Sequence, residues 1–257
     1  MTGKKLLILA GAIFIIEILI LVFFGGEMAL PDFENVPRWN LFETPEGVTT
    51  FWSLNRATTI MILLIDILIV TLAFLATRVL RDVPGRLQNV FEIIVEAFTD
   101  LVTQTLGESG RRHVPMFGSL FLFLWISNII GSIPFAVEPT RDLNVPIAHA
   151  LVALFVVHRE AIRAKGLKTY LAGYAEPFIV MTPLNIVSEL ASGVSLSFRL
   201  FGNILGGAII VIVISYLTKY VILPVGLNIF FGIFVGTIQA FVFTMLSMTY
   251  LAVAIAD

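Results

Sequence analysis

The sequence predicts an all-α integral membrane protein with six membrane helices. Of its 257 residues, 58% are hydrophobic and only 13% are charged. A soluble domain keeps roughly a quarter of its residues charged, so the composition places the chain in lipid. Apolar runs also recur along the chain, and most approach or exceed the roughly 20 residues that cross a bilayer core as a helix. The runs are Leu6–Phe24, Thr58–Ala76, Met116–Phe135, Val145–Val157, Pro177–Leu217 and Val221–Ala256.

The first run has two interpretations. Lys4 and Lys5 precede it, as in a secretory signal peptide. However, Glu17 interrupts the run and no cleavage motif of small residues follows, so a retained helix is favoured. With the external loop predicted at Gly25–Asn55, which contains three prolines and five acids, this helix forms a predicted N-terminal unit, residues 1–56. Residues 57–257 form the predicted channel domain.

The basic residues predict the orientation, because short cytoplasmic loops are enriched in lysine and arginine. Starting from a cytoplasmic N-terminus, the inside receives Lys4, Lys5, Arg78, Arg81, Arg86, Arg111, Arg112, Arg159, Arg163, Lys165 and Lys168. The outside receives Arg38, Arg56, Arg141 and Lys219. Both termini are therefore predicted to be cytoplasmic.

The segment Leu87–Leu106 differs from the membrane runs, because its apolar residues recur at helical spacing. The apolar side contains Leu87, Val90, Phe91, Ile94, Phe98, Leu101 and Val102, and the polar side Gln88, Glu92, Glu96, Asp100 and Thr103. We expect an amphipathic helix on the cytoplasmic surface. Its acidic side is either simply solvated or a docking surface for another subunit.

The last two runs are too long for a perpendicular crossing, so they must tilt strongly, bend or extend beyond the core. They are predicted to form a C-terminal helical hairpin that turns near Thr218–Tyr220. Arg199 lies in the middle of the first of these helices, too far from either end to reach an interface. A guanidinium stays protonated, so it can attract a carboxylate and repel cations but cannot relay protons.

The residues around Arg199 favour a functional role over a structural arginine paired within the bundle. Ser188, Ser192, Ser195, Arg199 and Asn203 share one helix face, with Glu189 beside them. Gly193, Gly202, Gly206 and Gly207 offer small surfaces for close helix approach, and Gly232, Gly236 and Gln239 recur at similar spacing on the partner helix. Intramembrane charges usually mark ion pathways.

Other chemistries find no support in the sequence. Cysteine is absent, the three histidines lack metal-ligand spacing, and no glycine-rich phosphate loop occurs. We therefore expect no cofactor, no metal and no ATP site in this chain. A net charge of -2 also argues against a nucleic acid as partner.

Several motifs resemble subunit a of the rotary ATP synthase, of the bacterial and chloroplast kind. The most specific are LSFRLFGNILGG (Leu196–Gly207) and IQAFVFTML (Ile238–Leu246). Further matches are FLFLWISNIIGSIPF (Phe121–Phe135), TRDLNV (Thr140–Val145), KGL (Lys165–Leu167) and PLNIVSEL (Pro183–Leu190). The resemblance as a whole covers the chain from about Val48 to Asp257.

The resemblance implies a non-catalytic subunit of the bacterial plasma (inner) membrane. Its implied partners are a rotating ring of c-subunits, b-type peripheral stalk subunits and the rest of the ATP synthase. Arg199 corresponds to the family's essential arginine, which attracts a ring carboxylate and separates two offset aqueous half-channels. Asn203 and Gln239 match polar positions flanking that arginine. Glu189 and Ser192 fall in the inner half-channel, and Ser195 lies on the same face. The choice between protons and sodium stays open here, because the c-subunit site largely makes it.

The outer half-channel departs from the family pattern. Many relatives carry a glutamate nine residues after the arginine and a histidine or glutamate seven residues before the glutamine, whereas this chain has Ala208 and Gly232. One hypothesis is that His149 has taken over the relay, with Asp142 and Asn144 at the external mouth. The alternative is a water-filled channel in which His149 is merely hydrogen-bonded.

Two other functions compete with this interpretation. A stand-alone secondary ion transporter would place its site at mid-membrane between repeats, but no internal repeat is evident. A structural membrane scaffold would tolerate loss of Arg199. Glu17 and Asp66 also lie in apolar runs, and we assign them no role in the channel.

Overall fold

A computed structural model of the protein describes residues 38–40, 53–77, 85–133, 136–175, 178–218 and 222–256. Its α-helices are α1 (Arg56–Thr77), α2 (Arg86–Leu106), α3 (Val114–Ile130), α4 (Asn144–Lys165), α5 (Leu167–Gly173), α6 (Thr182–Thr218), α7 (Ile222–Ile229) and α8 (Gly236–Ile255). Short 3-10 turns occupy Glu108–His113, Pro139–Arg141 and Ile179–Met181, and a π-helical segment, Phe230–Val235, joins α7 to α8. Two three-residue strands, β1 (Arg38–Asn40) and β2 (Ser53–Asn55), pair antiparallel, with Arg38 opposite Asn55.

In the described part of the chain, five helical stretches are long and apolar enough to cross a membrane. They are Arg56–Leu75, Glu108–Ile130, Asn144–Lys165, Ile179–Leu217 and Gly226–Ile255. The prediction of a multi-pass, predominantly α-helical membrane protein is therefore confirmed. The first predicted helix, Leu6–Phe24, lies outside the described residues, and so does most of the turn predicted near Thr218–Tyr220. The division into units 1–56 and 57–257 stays a prediction.

The helix that corresponds to the fourth predicted membrane run is longer than that run. Hydropathy predicts a short crossing over Val145–Val157, whereas α4 continues for 22 residues to Lys165. The extension is rich in alanine, arginine, glutamate and lysine, which are good helix formers. Gly166, with a φ of 80°, then ends the helix in the left-handed region that glycine adopts without strain. A hydropathy window stops at the first charged residues and therefore misses this last part.

A buried carboxylate fixes the charged end of α4. The Glu160 side chain is 2% exposed and accepts hydrogen bonds from Arg112 at 2.6 Å, Arg159 at 3.0 Å and Arg163 at 3.4 Å. Arg112 comes from the turn before α3, so the cluster connects that turn to α4. All of these arginines belong to the group predicted to be cytoplasmic.

Close packing of α3 against α8 forms the centre of the bundle. Asn128 donates a hydrogen bond from Nδ2 to the Gly236 carbonyl at 2.9 Å and accepts one from Thr140 Oγ1 at 2.8 Å. A Cβ added at Gly236 would lie 2.7 Å from Asn128 Cβ, so only glycine allows this approach. The buried apolar core of the bundle includes Leu124, Leu200, Phe243, Met248 and Leu251.

The glycines predicted to permit close helix approach fall into two groups. An added Cβ would meet neighbouring atoms at less than 3 Å at Gly193, Gly207, Gly232 and Gly236. At Gly202 and Gly206 it would meet no described atom within 4 Å. For these two, close approach of another helix stays a prediction. Gly202 lies on an exposed face of α6.

Helix α2 separates its polar and apolar residues most clearly in its second half. Phe98, Val102 and Leu106 are buried, whereas Glu96 and Asp100 are exposed. In the first half the pattern is less regular. Val90, from the predicted apolar side, is 53% exposed, and Gln88, from the predicted polar side, is buried and bonded to Glu92 at 2.8 Å.

Candidate functional site

Arg199 lies near the middle of the 37-residue helix α6, and its side chain is exposed. Ser195, Phe198, Gly202 and Asn203 are exposed beside it. No carboxylate among the described residues lies within ion-pair distance of its guanidinium. The arrangement leaves a permanent charge on an open face of a membrane helix, with small and polar neighbours.

Behind this face, Asn203 connects α6 to α8. Its Nδ2 donates to Gln239 Oε1 at 2.6 Å, and Gln239 is 4% exposed. The Gln239 Nε2 atom is buried and has no hydrogen-bond partner among the described residues. Asn203 lies one helical turn from Arg199 along α6, and the spare donor of Gln239 can hold a water or a carboxylate.

A cluster of titratable side chains lies towards the N-terminal end of α6. Glu189 accepts a hydrogen bond from the Tyr174 hydroxyl and lies 3.2 Å from His158 Nδ1. Tyr170 contacts His158 Nδ1 at 3.2 Å and the Tyr174 hydroxyl at 2.7 Å. Burial raises the pKa of both tyrosines, so both hydroxyls stay protonated. We call Glu189, His158, Tyr170 and Tyr174 the inner cluster.

Three members of the inner cluster, Glu189, Tyr170 and Tyr174, line a wide, open cavity of about 980 Å³. Ser188, Ser192 and Asn185 also line it. Ser192 donates to the Ser188 carbonyl at 3.0 Å, and Asn185 Nδ2 donates to the Tyr174 carbonyl at 2.9 Å. Of the predicted residues, Glu189 and Ser192 therefore lie together at one water-accessible hollow, while Ser195 lies further along the same helix towards Arg199.

The sequence reasoning did not identify His158, Tyr170 or Tyr174 as part of this site. The tyrosines are four residues apart, a spacing that places them on one side of a helical turn. That spacing could have indicated that the two tyrosines lie together. Their position near Glu189 depends on the packing of α4 and α5 near α6, which the sequence spacing does not show.

At the other end of α4, the residues proposed for the outer route make hydrogen bonds and ring contacts with neighbouring residues. Asp142 Oδ1 accepts hydrogen bonds from the Asn144 backbone N–H at 3.1 Å and from Asn144 Nδ2 at 3.0 Å, at the start of α4. His149 Nδ1 lies 2.8 Å from the Val145 carbonyl, and its ring stacks on Phe123 at 4.7 Å between centroids. The relay role of His149 stays a prediction.

A different acidic residue lies beside Ala208 and Gly232. Glu138, just before α4, lines a narrow cavity of about 20 Å³ together with Asn203, Ala208, Asn228 and Gly232. Its Oε2 atom is buried and has no hydrogen-bond partner among the described residues. Burial raises the pKa of Glu138 to about 7, although Arg141 opposes the shift. Glu138 was not predicted from the sequence, because it lies in a short loop outside the apolar runs.

Fold and site together define a multi-pass α-helical membrane protein with an exposed arginine in the middle of a membrane helix. Cavities lined by titratable side chains lie near the two ends of α4, on either side of that arginine. Residues 58–252 match the family model described as the ATP synthase A chain. Three relatives named ATP synthase subunit a illustrate the similarity. The protein from Moorella thermoacetica is 38% identical over 189 residues, which cover 74% of this chain and 86% of the relative. The one from Pelobacter propionicus, numbered subunit a 3, is 38% identical over 193 residues, covering 73% and 82%. The one from Helicobacter acinonychis is 35% identical over 215 residues, covering 81% and 94%.

The chain therefore belongs to the ATP synthase subunit a family, and the resemblance stated from its motifs is confirmed. It is a proton-translocating subunit of the membrane sector of an ATP synthase complex.

Proposed function

We propose that this chain forms two offset half-channels for protons against a rotating ring of c-subunits, with Arg199 as the barrier between them. The exposed guanidinium of Arg199, which has no ion-pair partner in the described part of the chain, is the observation that carries the proposal. A charge at the centre of a membrane helix costs about 2.5–3.5 kcal/mol even on insertion scales. No described acid compensates Arg199, and in this proposal its counter-charge comes from another chain. A ring carboxylate at mid-membrane supplies that charge.

The open face around Arg199 suits a moving partner. Gly202 and Ser195 keep the surface low, so a second helix can pass close to the guanidinium. Arg199 attracts a deprotonated ring carboxylate, while a protonated carboxyl group is neutral and leaves freely towards lipid. A proton cannot pass directly from one half-channel to the other, because the guanidinium repels it and cannot itself release a proton.

The inner half-channel corresponds to the cavity of the inner cluster. A ring carboxyl group that approaches Arg199 from this side gives up its proton, and Glu189 or a water in the cavity accepts it. His158 lies against Glu189 and can share the proton before it reaches bulk water. Ser192 and Ser195 line the way from Glu189 towards Arg199 along α6. Asn203 and Gln239 line the approach to Arg199 from the outer side.

The basic residues support a cytoplasmic position for the inner cluster. Lys165 lines the same cavity, and Arg159 and Arg163 lie on the same end of α4. The short loops rich in arginine and lysine are cytoplasmic in most membrane proteins. Asp142 and Asn144, at the opposite end of α4, then face the external side. We place both termini in the cytoplasm and the protein in the bacterial plasma (inner) membrane.

Helix α6 adopts a strong tilt in this arrangement. Its 37 residues measure about 55 Å at 1.5 Å per residue, against a hydrocarbon core of about 30 Å. With α7 and α8 it forms a tilted hairpin that lies along the ring. Helix α2 lies on the cytoplasmic surface. The largely exposed apolar surface of α1 contacts lipid or the b-type peripheral stalk subunits. The chain itself is non-catalytic.

Arg199→Ala in the assembled complex tests this proposal. ATP-driven proton pumping into inverted membrane vesicles is measured by quenching of a pH-sensitive dye, and assembly by copurification with the c-ring and catalytic subunits. We expect normal assembly and no pumping. Surviving pumping would contradict the barrier role and favour a structural scaffold, and purification of the chain without a ring would favour a stand-alone transporter. Glu108→Gln, at an exposed position outside α6, is the control.

A further inference from the structure

The positions that lack the family's titratable pair converge on one place in the structure. Ala208 on α6 and Gly232 in the π-helical segment line the same narrow cavity. π-Helical segments recur at functional sites because they displace side chains from the regular helical register. Neither residue can bind or release a proton. Glu138 is the residue with a titratable side chain among those that line this cavity.

The carboxyl group of Glu138 lies directly over the backbone of Gly131. A Cβ built at Gly131 would lie 1.6 Å from Glu138 Oε1, so the carboxyl group occupies the space that glycine leaves. The Oε2 atom of Glu138 and the Oγ atom of Ser132 are both buried without a hydrogen-bond partner among the described residues. Ser132 Oγ in turn would lie 2.0 Å from a Cβ at Gly232. Two unsatisfied polar atoms therefore lie next to the cavity.

Buried polar atoms without a partner are costly and are commonly satisfied by ordered water. The cavity, at about 20 Å³, has room for about one water molecule. Such a water can accept a hydrogen bond from a protonated Glu138 and donate to Asn203 or Asn228, which also line the cavity. Asn203 is one helical turn from Arg199, so the cavity connects Glu138 to the open face of α6.

We propose that Glu138 is the protonatable relay of the outer half-channel, in the place of the acidic pair missing at Ala208 and Gly232. This inference rests on the proposed function. Protonated Glu138 releases its proton through the cavity water to a deprotonated ring carboxylate that has left Arg199. Glu138 becomes a carboxylate, the ring site becomes neutral, and a proton from external water restores Glu138. No other group changes its protonation state.

The electrostatic surroundings of Glu138 suit this exchange. Burial raises its pKa to about 7, and the positive charge of Arg141, three residues along the chain, limits the increase. The polar side chains from the other packed elements, Ser132, Asn203 and Asn228, are neutral. A pKa near the external pH lets the group take up and release protons at similar rates, as a relay requires.

The test uses the assembled complex in inverted membrane vesicles, with ATP-driven pumping and proton-driven ATP synthesis both measured. Glu138→Gln keeps the size of the side chain and removes its titration. A positioned proton-transfer group contributes about 10²–10⁴-fold to a rate, so we expect both activities to fall at least about tenfold. Glu108→Gln makes the same chemical change at an exposed position and should retain full activity.

A second variant separates the relay from a structural role. Ala208 lines the same cavity as Glu138, so the double variant Glu138→Gln with Ala208→Glu returns a carboxyl group to the cavity from the other side. We expect it to recover at least part of the lost activity. If Glu138→Gln assembles and pumps as the wild type does, the inference is wrong. A Glu138→Gln loss that Ala208→Glu leaves unchanged also contradicts the relay. If Arg199→Ala pumps as well, the proposed function itself fails.

Discussion

Replacing Glu160 with glutamine should loosen the charged end of α4. The carboxylate is buried, and three guanidinium groups contact it at 2.6, 3.0 and 3.4 Å. Breaking a buried ion pair typically costs 3–5 kcal/mol, mostly because an unpaired charge remains buried. Here the arginine side chains are 56–58% exposed and can return to water. We therefore expect a smaller loss, about 2–3 kcal/mol, comparable to one or two charge-assisted hydrogen bonds.

Hydrogen exchange measures this loss locally, because amides in an element exchange at the rate set by its opening free energy. In the purified complex, a loss of about 2–3 kcal/mol accelerates exchange of the amides of residues 158–165 by about 30- to 150-fold. Arg112→Gln should accelerate it more than Arg163→Gln, because Arg112 is closer to the carboxylate. Glu108→Gln, in the exposed part of the same turn, is the matched control.

Two outcomes would contradict this reasoning. Exchange within about threefold of the wild type for Glu160→Gln would mean that the cluster contributes little to the position of α4. A larger effect for Arg163→Gln than for Arg112→Gln would mean that the distances do not rank the interactions.

Three further predictions concern the helix contact and the outer route. Gly236→Ala should destabilise the α3–α8 contact by about 1–3 kcal/mol, because its Cβ would lie 2.7 Å from Asn128 Cβ. The yield of the assembled complex measures this, with Gly118→Ala on α3 as control, because its Cβ would make only an ordinary contact with Phe98 at 3.9 Å. His149→Leu separates the two relay hypotheses: with Glu138 as the relay we expect unchanged proton pumping in vesicles, and reduced pumping would favour His149. Infrared difference spectra of the wild-type complex should show a protonated carboxyl band that disappears with a midpoint near pH 7 as the pH rises, and Glu138→Gln should lack it.

The pH dependence of stability has a definite sign for Glu138. Its pKa in the folded protein lies above the ordinary value of 4.5, so the folded state binds the proton more tightly than the unfolded state. This contribution to stability is fully present below about pH 4.5 and is lost as the pH rises to about 7. The complex should therefore become less stable over this interval, by an amount that Glu138→Gln removes.

The sequence could predict the membrane helices and the centre of the site because both depend on local patterns. Apolar runs mark α1, α3 and α6, and the four-residue step from Arg199 to Asn203 follows from helical periodicity alone. The motif around Gln239 indicated the residue on α8 that is the hydrogen-bond partner of Asn203. These inferences need no knowledge of how distant segments pack.

The remaining features arise from packing between distant segments. His158 and Glu189 lie 31 positions apart in the sequence, and α5 with its neighbouring loop brings the tyrosines to both. The setting of Glu138 depends on the space left by Gly131 and Gly232. Hydropathy also predicted that the fourth membrane run ends at Val157, because hydropathy measures only preference for lipid. Helix α4 instead continues with charged residues to Lys165.

The exposed face of α6 has a consequence for the order of assembly. Only 17% of the most apolar stretch of this span is buried within the chain, and Arg199 lies on its open side. On the proposed function, a newly inserted chain that has not met its ring holds a bare guanidinium against acyl chains. The ring removes this penalty, so docking is favoured as soon as a ring is present.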